Sequence, residues 1–259
     1  FIHKIISVLK IVENLKLKFK DFDFIPLFWM ASEDHDFQEI SSLNIFNKNL
    51  SVVKEDGIGV GKLNPEIFTP ILESLKDLFK NDFRFKNLES IFSASLNQQN
   101  WANATRYWIS KVFEKENLIV IDADDVKLKK LFLPVFKNEL EKQFIYNSVE
   151  NTNNKLRSLG YEPKINPRVL NLFFLEDKKR HRIIFENNVF KIGDSNLKLE
   201  EILSLLNSSP EKFSPNVLMR PIYQELLLPN LVYVGGPSEL VYWSQLKKSF
   251  DQVDVNFPI

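Results

Sequence analysis

Cysteine is missing from all 259 residues, and histidine occurs only three times. Without a thiol there is no thiolate nucleophile, no thiolate zinc site and no disulfide. That composition fits a reducing cytoplasm, and a cytoplasmic location is the expectation. Glycine occurs seven times, few for a nucleotide-binding fold. Lys plus Arg and Asp plus Glu cancel at 34 each, so no bulk field draws the chain to nucleic acid or to a membrane surface. Neither is expected as a partner. No apolar run approaches the roughly 20 residues of a membrane span. What remains is a chain of 30.4 kDa that is 44% hydrophobic, enough for one large or two small domains with a real core.

Periodicity suggests an α/β fold. Ile5, Ile6, Leu9, Val12 and Leu15 recur at helical spacing, which predicts a helix over residues 1–19 with one buried face. Phe24 to Met30, Leu118 to Ile121 and Leu231 to Val234 are short apolar runs with little alternation. Strands buried on both faces of a parallel sheet read this way. Each run flows into a polar or glycine-bearing turn and then a helical pattern. In a mostly parallel, Rossmann-like sheet such turns gather at the carboxyl edge, where ligands bind. Further helices are predicted over residues 65–79, 98–115, 127–156, 199–206 and 221–228, with Pro134 near a helix start or kink. Two stretches break the pattern. Residues 41–64, with Gly57, Gly59 and Gly61, suggest inserted hairpins. Residues 160–195 suggest a small β insertion, with Asn187-Asn188 as a turn. The chain opens at Phe1 already in a helical pattern and closes at the apolar Phe257-Pro258-Ile259, so a fragment of a longer protein is expected.

Three constellations carry chemistry. Ser32-Glu33-Asp34-His35-Asp36 follows the first apolar run. As structure it is an acidic first helical turn, with Ser32 or Asp36 as cap and Asp36 and Glu39 at capping-box spacing. As a site, Glu33, Asp34 and Asp36 hold an ammonium group or hydroxyls, and His35 exchanges a proton near neutral pH. The spacing matches no zinc box, and no metal site is assigned. Asp122 and Asp124 end the second run; they either accept sugar hydroxyls or cap the next helix. Gly235-Gly236-Pro237-Ser238-Glu239 ends the third. Its glycines let backbone approach a ligand, Ser238 is a candidate cap, and the same residues also make a plain turn. Upstream, Asn216, Arg220 and Gln224 stand four apart. Arg220, just before Pro221, either clamps a carboxylate or phosphate or makes a surface ion pair. His3 reads as a surface or capping residue, Trp101 and Trp108 as packing, and the basic Lys178–Arg182 stretch around His181 as a solvated strand end.

The ordered set PLFWMASEDHDFQEI (26–40), LIVIDADD (118–125) and SPNVLMRPIYQELLLPNLVYVGGPSELVYWSQLK (214–247) resembles the bacillithiol biosynthesis cysteine-adding enzyme family. The likeness covers nearly the whole chain, including NLFF at 171–174 and the hairpin near residue 181. It implies a ligase joining L-cysteine to the glucosamine amine of glucosaminyl-malate, with ATP as co-substrate and magnesium in support. The implied core is similar to class I aminoacyl-tRNA synthetases, with connective segments inserted, although neither a HIGH nor a KMSKS signature occurs. The similar ligase of mycothiol synthesis holds zinc with cysteine and histidine; here no cysteine-liganded zinc is possible. Family members carry a TGQQ-like segment and a GP-Tyr step before the helix that begins here at Phe1, and a long coiled coil after the core. The resemblance therefore implies that residues 1–259 are an incomplete Rossmann-like core, inactive alone, from a protein that dimerises through that coiled coil. In that frame Glu33, Asp34, His35 and Asp36 are the expected catalytic residues. Asp122, Asp124, Asn216, Arg220, Gly235, Gly236 and Glu239 are expected to bind substrate or nucleotide. Two other functional classes remain: a sugar-nucleotide-dependent transferase, and a non-catalytic sugar- or nucleotide-binding scaffold.

Overall fold

The computed structural model describes residues 1–53, 59–176 and 179–258. Gly57, Lys178 and Ile259, which figured in the sequence expectations, lie outside the described residues. The chain divides into two units, Phe1–Ala123 and Asp124–Ile259.

In the first unit, α1 (Ile2–Lys18) leads to β1 (Leu27–Met30). A hairpin follows, β2 (Ser42–Ile45) and β3 (Lys48–Ser51), turned by Phe46 and Asn47 at positive φ. Then come α2 (Thr69–Phe79), α3 (Phe83–Leu96), α4 (Trp101–Val112) and β4 (Ile119–Asp122). Strands β1 and β4 pair in parallel, Leu27 with Ile119 through Met30 with Asp122. That pairing is the predicted α/β element. Burial departs from expectation. Only Met30 in β1 is buried, and Ile119 is 44% exposed. The reason is that the described sheet here has two strands, so each flank has an open edge. On α1, likewise, Ile5 alone is buried. The packed centre lies instead where Ile109 and Ala104 of α4 meet Leu72, Phe68 and Leu63, with Trp101 against Phe68 at 4.0 Å between ring centroids.

The second unit begins with α5 (Val126–Leu131), α6 (Leu133–Lys142) and α7 (Phe144–Ser158). Pro134 sits in the first turn of α6, where a missing N–H costs nothing. Gln143, at φ 49°, makes the corner into α7. An antiparallel sheet follows: β5 (Leu172–Glu176), β6 (Lys179–Glu186), β7 (Val189–Ile192) and β8 (Ser195–Leu197). Asn187-Asn188 turns β6 into β7 with both residues at positive φ, as this two-residue hairpin geometry requires. After α8 (Leu199–Ser208), β9 (Phe213–Pro215) returns beside β5, giving the order β8-β7-β6-β5-β9. The chain closes with α9 (Arg220–Leu227), α10 (Pro237–Trp243) and α11 (Lys247–Asp251). Phe132, Phe136, Phe213, Phe174 and Tyr223 form the aromatic centre of this core.

Leu231 to Val234 corrects the sequence reading. These residues form no strand, and Leu231 is 58% exposed. One of them, Tyr233, packs on α10 instead. The Tyr233 ring stacks on Trp243 at 4.0 Å, and its hydroxyl donates to Glu239 at 2.8 Å. The basic stretch also differs from a solvated strand end. Arg180 donates to Ser214 Oγ and the Pro215 carbonyl, and its guanidinium lies 4.0 Å from the Phe173 ring centre. No helix among the described residues is long and apolar enough to cross a membrane.

Two buried carboxyls give the second unit a pH signature. Burial pushes Glu139 up to about 7, against the N–H groups of Ile145 and Asn171 that hold it down. Burial likewise pushes Glu225 up to about 7, opposed by Asn230 and Gln224. Between the ordinary carboxylate range and about 7, the folded state keeps protons that the unfolded chain releases. Stability therefore falls as pH rises through that window and levels off above it. Thermal unfolding is expected to show a higher Tm at pH 5.5 than at pH 8, by about 1–3 kcal/mol of stability per group. A Tm that rises steadily from pH 5.5 to 8 would contradict the raised values.

Candidate functional site

The carboxyl end of the parallel pair organises the first unit's candidate site. Parallel registry sets Met30 opposite Asp122, and Ala123 N–H donates to the Met30 carbonyl at 3.0 Å. The loop after β1 therefore starts beside the end of β4. There Ser32 Oγ donates to Asp122 Oδ1. Arg106, on α4, places Nη2 3.8 Å from Asp122 Oδ2. The same helix starts at Asn100, whose side chain accepts from Asn103 N–H at 2.8 Å, and Asn103 in turn approaches Arg106. Asn100, Asn103 and Arg106 thus follow one helical face.

The acidic loop divides by depth. Ser32 and Glu33 are buried, Asp34 is half-buried, and His35 and Asp36 are exposed. Asp34 Oδ1 accepts from His35 N–H at 2.7 Å and lies 3.6 Å from His35 Nδ1. The expected capping box is corrected here. Residues Phe37–Glu39 make a single tight 3-10 turn, and the Asp36 side chain makes no cap bond to it. Asp34 supplies the local turn bond in its place.

A second loop clamps this one. Val60 N–H donates to the Asp34 carbonyl at 2.7 Å, and Gly61 N–H donates to the Ser32 carbonyl at 2.8 Å. A β-carbon on Gly61 would stand 2.6 Å from Ser32 Cβ and 2.7 Å from Ser32 O. On Gly59 it would meet only the Asp34 and Glu33 carbonyl oxygens, at 3.8 and 3.9 Å. Gly61→Ala is therefore expected to lower stability by about 1–3 kcal/mol through overpacking, while Gly59→Ala stays within about 0.5 kcal/mol. Paired urea titrations check this, and equal midpoints would remove the clamp from the account. Both Gly61 and Arg106 escaped the sequence reading. The three glycines of residues 57–61 were visible, but not what they pack against.

The second unit holds the other candidates. Asp124 Oδ1 lies 2.5 Å from Nζ of Lys129, a side chain with 0% exposure that also donates to the Glu211 carbonyl at 3.0 Å. Asp125, rather than Asp122 or Asp124, caps α5 by accepting from Lys127 N–H. Gly236 is the cap position of α10, and Glu239 accepts from its N–H at 2.6 Å. Ser238 is thus not the cap: the helix starts two residues earlier, with Pro237 in its first position. Gly235 packs tightly, since an added β-carbon would stand 2.9 Å from the Tyr233 ring. Arg220 opens α9. Its guanidinium favours the ionised forms of Tyr233 and Tyr242, though burial raises both phenols overall. Arg220, at the start of α9, acts on the Tyr233 phenol, and Tyr233 in turn meets Gly235 and Glu239 at the start of α10. Asn216 is engaged within the fold: its Oδ1 accepts from Leu218 and Met219 N–H, and its amide donates to Asn171.

These two clusters suit different chemistry. The first offers carboxylates, a hydroxyl and one arginine, a set for amines and hydroxyl groups. The second offers an arginine, phenols and a close-packed glycine turn, a set for an anionic group on an aromatic floor. Among the described residues no three His, Asp or Glu side chains converge on a metal position.

Comparison with known proteins adds an independent line. The family model for the bacillithiol biosynthesis protein BshC, N-terminal Rossmann-like domain, matches residues 1–259. A protein of Flavobacterium johnsoniae named "Putative cysteine ligase BshC" is 41% identical over 262 residues, which covers 100% of this chain and 49% of that protein. The protein of the same name from Flavobacterium psychrophilum is 40% identical over 266 residues, with 100% and 49% covered. In Staphylococcus saprophyticus the figure is 32% over 275 residues, with 99% and 50% covered. The chain spans about half the length of the curated relatives it matches.

Proposed function

Since the chain belongs to the bacillithiol biosynthesis BshC family, as its N-terminal Rossmann-like domain, we propose that the whole protein is a cysteine ligase. It joins the L-cysteine carboxylate to the glucosamine amine of glucosaminyl-malate. The observation that carries this reading is the match over the full chain to relatives that bear the cysteine ligase name.

An amide does not form from a free carboxylate and an amine at neutral pH without activation. ATP supplies it in this proposal: the carboxylate takes the adenylyl group with loss of pyrophosphate, and the amine then displaces AMP. Magnesium would travel with the nucleotide phosphates, the usual habit of an ion that keeps several waters. The chain's own residues position and neutralise. Asp34 and Asp36 hold the sugar amine or hydroxyls at the carboxyl end of β1, with His35 as the group that takes up the amine proton. The Ser32–Asp122 hydrogen bond keeps that loop in place, with Glu33 buried next to Ser32. Arg220 receives the malate carboxylates or a phosphate, with Gly235, Gly236 and Glu239 shaping the turn beside it. A homodimer through a helical segment of the whole protein is part of the same proposal.

The test is turnover of glucosaminyl-malate by the protein at its relatives' full length, with cysteine and ATP each omitted in turn. Loss of product in both omissions supports the ligase. Turnover that needs a sugar nucleotide and ignores cysteine would replace it with a transferase, and no turnover with intact ligand binding would leave a scaffold. Asp36→Asn sharpens the site assignment. Asp36 is exposed and makes no cap bond, so Tm should hold within the error of the measurement. Turnover should drop about ten-fold, the worth of one charge-assisted contact of roughly 1.5 kcal/mol. Unchanged turnover would remove Asp36 from the site.

A further inference from the structure

We infer that Glu139 is a positioning residue for Arg220, acting through a relay of two asparagines, Asn171 buried and Asn216 half-buried. The inference rests on the proposed role of Arg220 as the residue that receives an anionic group of the substrate.

The relay is continuous. Glu139 stands on α6 with no exposure. Its Oε1 accepts from both the backbone N–H and the side-chain amide of Asn171, each at 3.0 Å. Its Oε2 accepts from Ile145 N–H, in the first turn of α7, at 3.1 Å. Asn171 is itself fully buried; its Oδ1 accepts from the Asn216 amide at 2.9 Å, and its backbone carbonyl accepts from Asn216 N–H at 2.9 Å. Asn216 then turns its own Oδ1 onto Leu218 and Met219 N–H, and its carbonyl takes Arg220 N–H at 3.0 Å.

Direction is what makes this more than a set of bonds. Glu139 Oε1 already accepts the backbone N–H of Asn171, so it meets the Asn171 amide as an acceptor, and that amide faces it with its NH2 group. Asn171 Oδ1 must then face Asn216, and that fixes the Asn216 amide with its oxygen toward the start of α9. If either amide were reversed, two acceptors or two donors would meet. The first turn of α9, and with it the base of the Arg220 side chain, is thereby held in one orientation. A fork that binds a carboxylate through two N–H groups loses its second contact when its base tilts. None of these residues needs to touch the substrate.

The experiment is a double-mutant cycle in the full-length protein, with Glu139→Gln, Arg220→Ala and the pair. Glutamine keeps size but turns an NH2 group toward either Ile145 N–H or Asn171. Expected is a roughly ten-fold rise in KM for glucosaminyl-malate in Glu139→Gln, with kcat within about three-fold. The pair should be no worse than Arg220→Ala alone, because both act on one contact. Isothermal titration of L-malate should weaken in parallel. Should Glu139→Gln not fold, Asn216→Asp takes its place: it keeps the turn acceptor but meets Asn171 Oδ1 with a second acceptor, and the same non-additivity is expected. Additive losses, or an unchanged KM in a folded variant, overturn the inference. If Arg220→Ala leaves KM and malate binding untouched, the proposed role of Arg220 fails instead, and the inference falls with it; the two failures are told apart by that single variant.

Discussion

Replacing Asp124 with alanine is expected to destabilise the second unit by about 3–5 kcal/mol, the cost of breaking one side of a buried ion pair. Lys129 has no solvent exposure, and its ammonium group sits 2.5 Å from Asp124 Oδ1. It also donates to the Glu211 carbonyl at 3.0 Å. Alanine at 124 takes a carboxylate away from an ammonium group that has no solvent exposure, which raises the cost of keeping that charge buried. The compensating change is Lys129→Met. It removes the charge while filling the same volume, and the double variant should recover most of the loss, since apolar replacements of buried pairs are often near neutral. Urea unfolding of the wild type and both variants measures this. A urea midpoint unchanged in Asp124→Ala, together with weakened nucleotide or sugar binding, would return Asp124 to the ligand-binding role that its place after an apolar run suggested.

That contrast shows where sequence alone reached its limit. LIVIDADD announces a strand and then acids, and both are there. It does not announce that Lys129, five residues on, is turned inward. A lysine in a helix of six residues with three lysines reads as solvated surface, and only the packing of Glu211 beside it shows otherwise. The strand pair behaves the same way. β1 and β4 were legible because apolar runs of four residues between polar turns have few other uses. Leu231 to Val234 has the same composition and forms no strand, because its aromatic side chain is committed to stacking on Trp243 and bonding Glu239. Local pattern cannot separate an apolar run that pairs with a neighbour from one that lies over a helix. The hairpin at Asn187-Asn188 was legible for the opposite reason. Two asparagines at positive φ are a local matter, settled by residues that touch each other along the chain. β8 and β9, three residues each, were too short to leave a period, and α3 carries a mixed face without a clear apolar stripe. Among the candidate site residues, the acidic loop and Arg220 were visible by charge. Gly61, Arg106, Tyr233 and the Glu139–Asn171 pair were not, since each acts through a contact at least as far off as the next element.

Arg220→Ala is expected to lower kcat/KM for glucosaminyl-malate by about a hundred-fold, or roughly 2.7 kcal/mol, in the full-length protein. The magnitude is that of truncating one partner of a partly desolvated, hydrogen-bonded charge pair. The side chain is half-buried at the first position of α9, next to Pro221, whose fixed φ helps set the helix start. Two phenols lie within reach of its charge, so an anion bound there is shielded from bulk water on the aromatic side. Lysine at 220 keeps the charge but not the fork, and should recover part of the loss without restoring the wild-type value. Stability should change by no more than about 1 kcal/mol, because Asn216 holds the helix start through the backbone and not through the arginine. The decisive comparison uses a shortened acceptor, glucosamine without its malate. If Arg220 reads the malate carboxylates, wild type and Arg220→Ala should handle the shortened acceptor equally, since the contact is missing from both. A hundred-fold gap that persists with glucosamine would move Arg220 off the malate and onto a group common to both reactions, the nucleotide phosphate being the one anion they share besides cysteine.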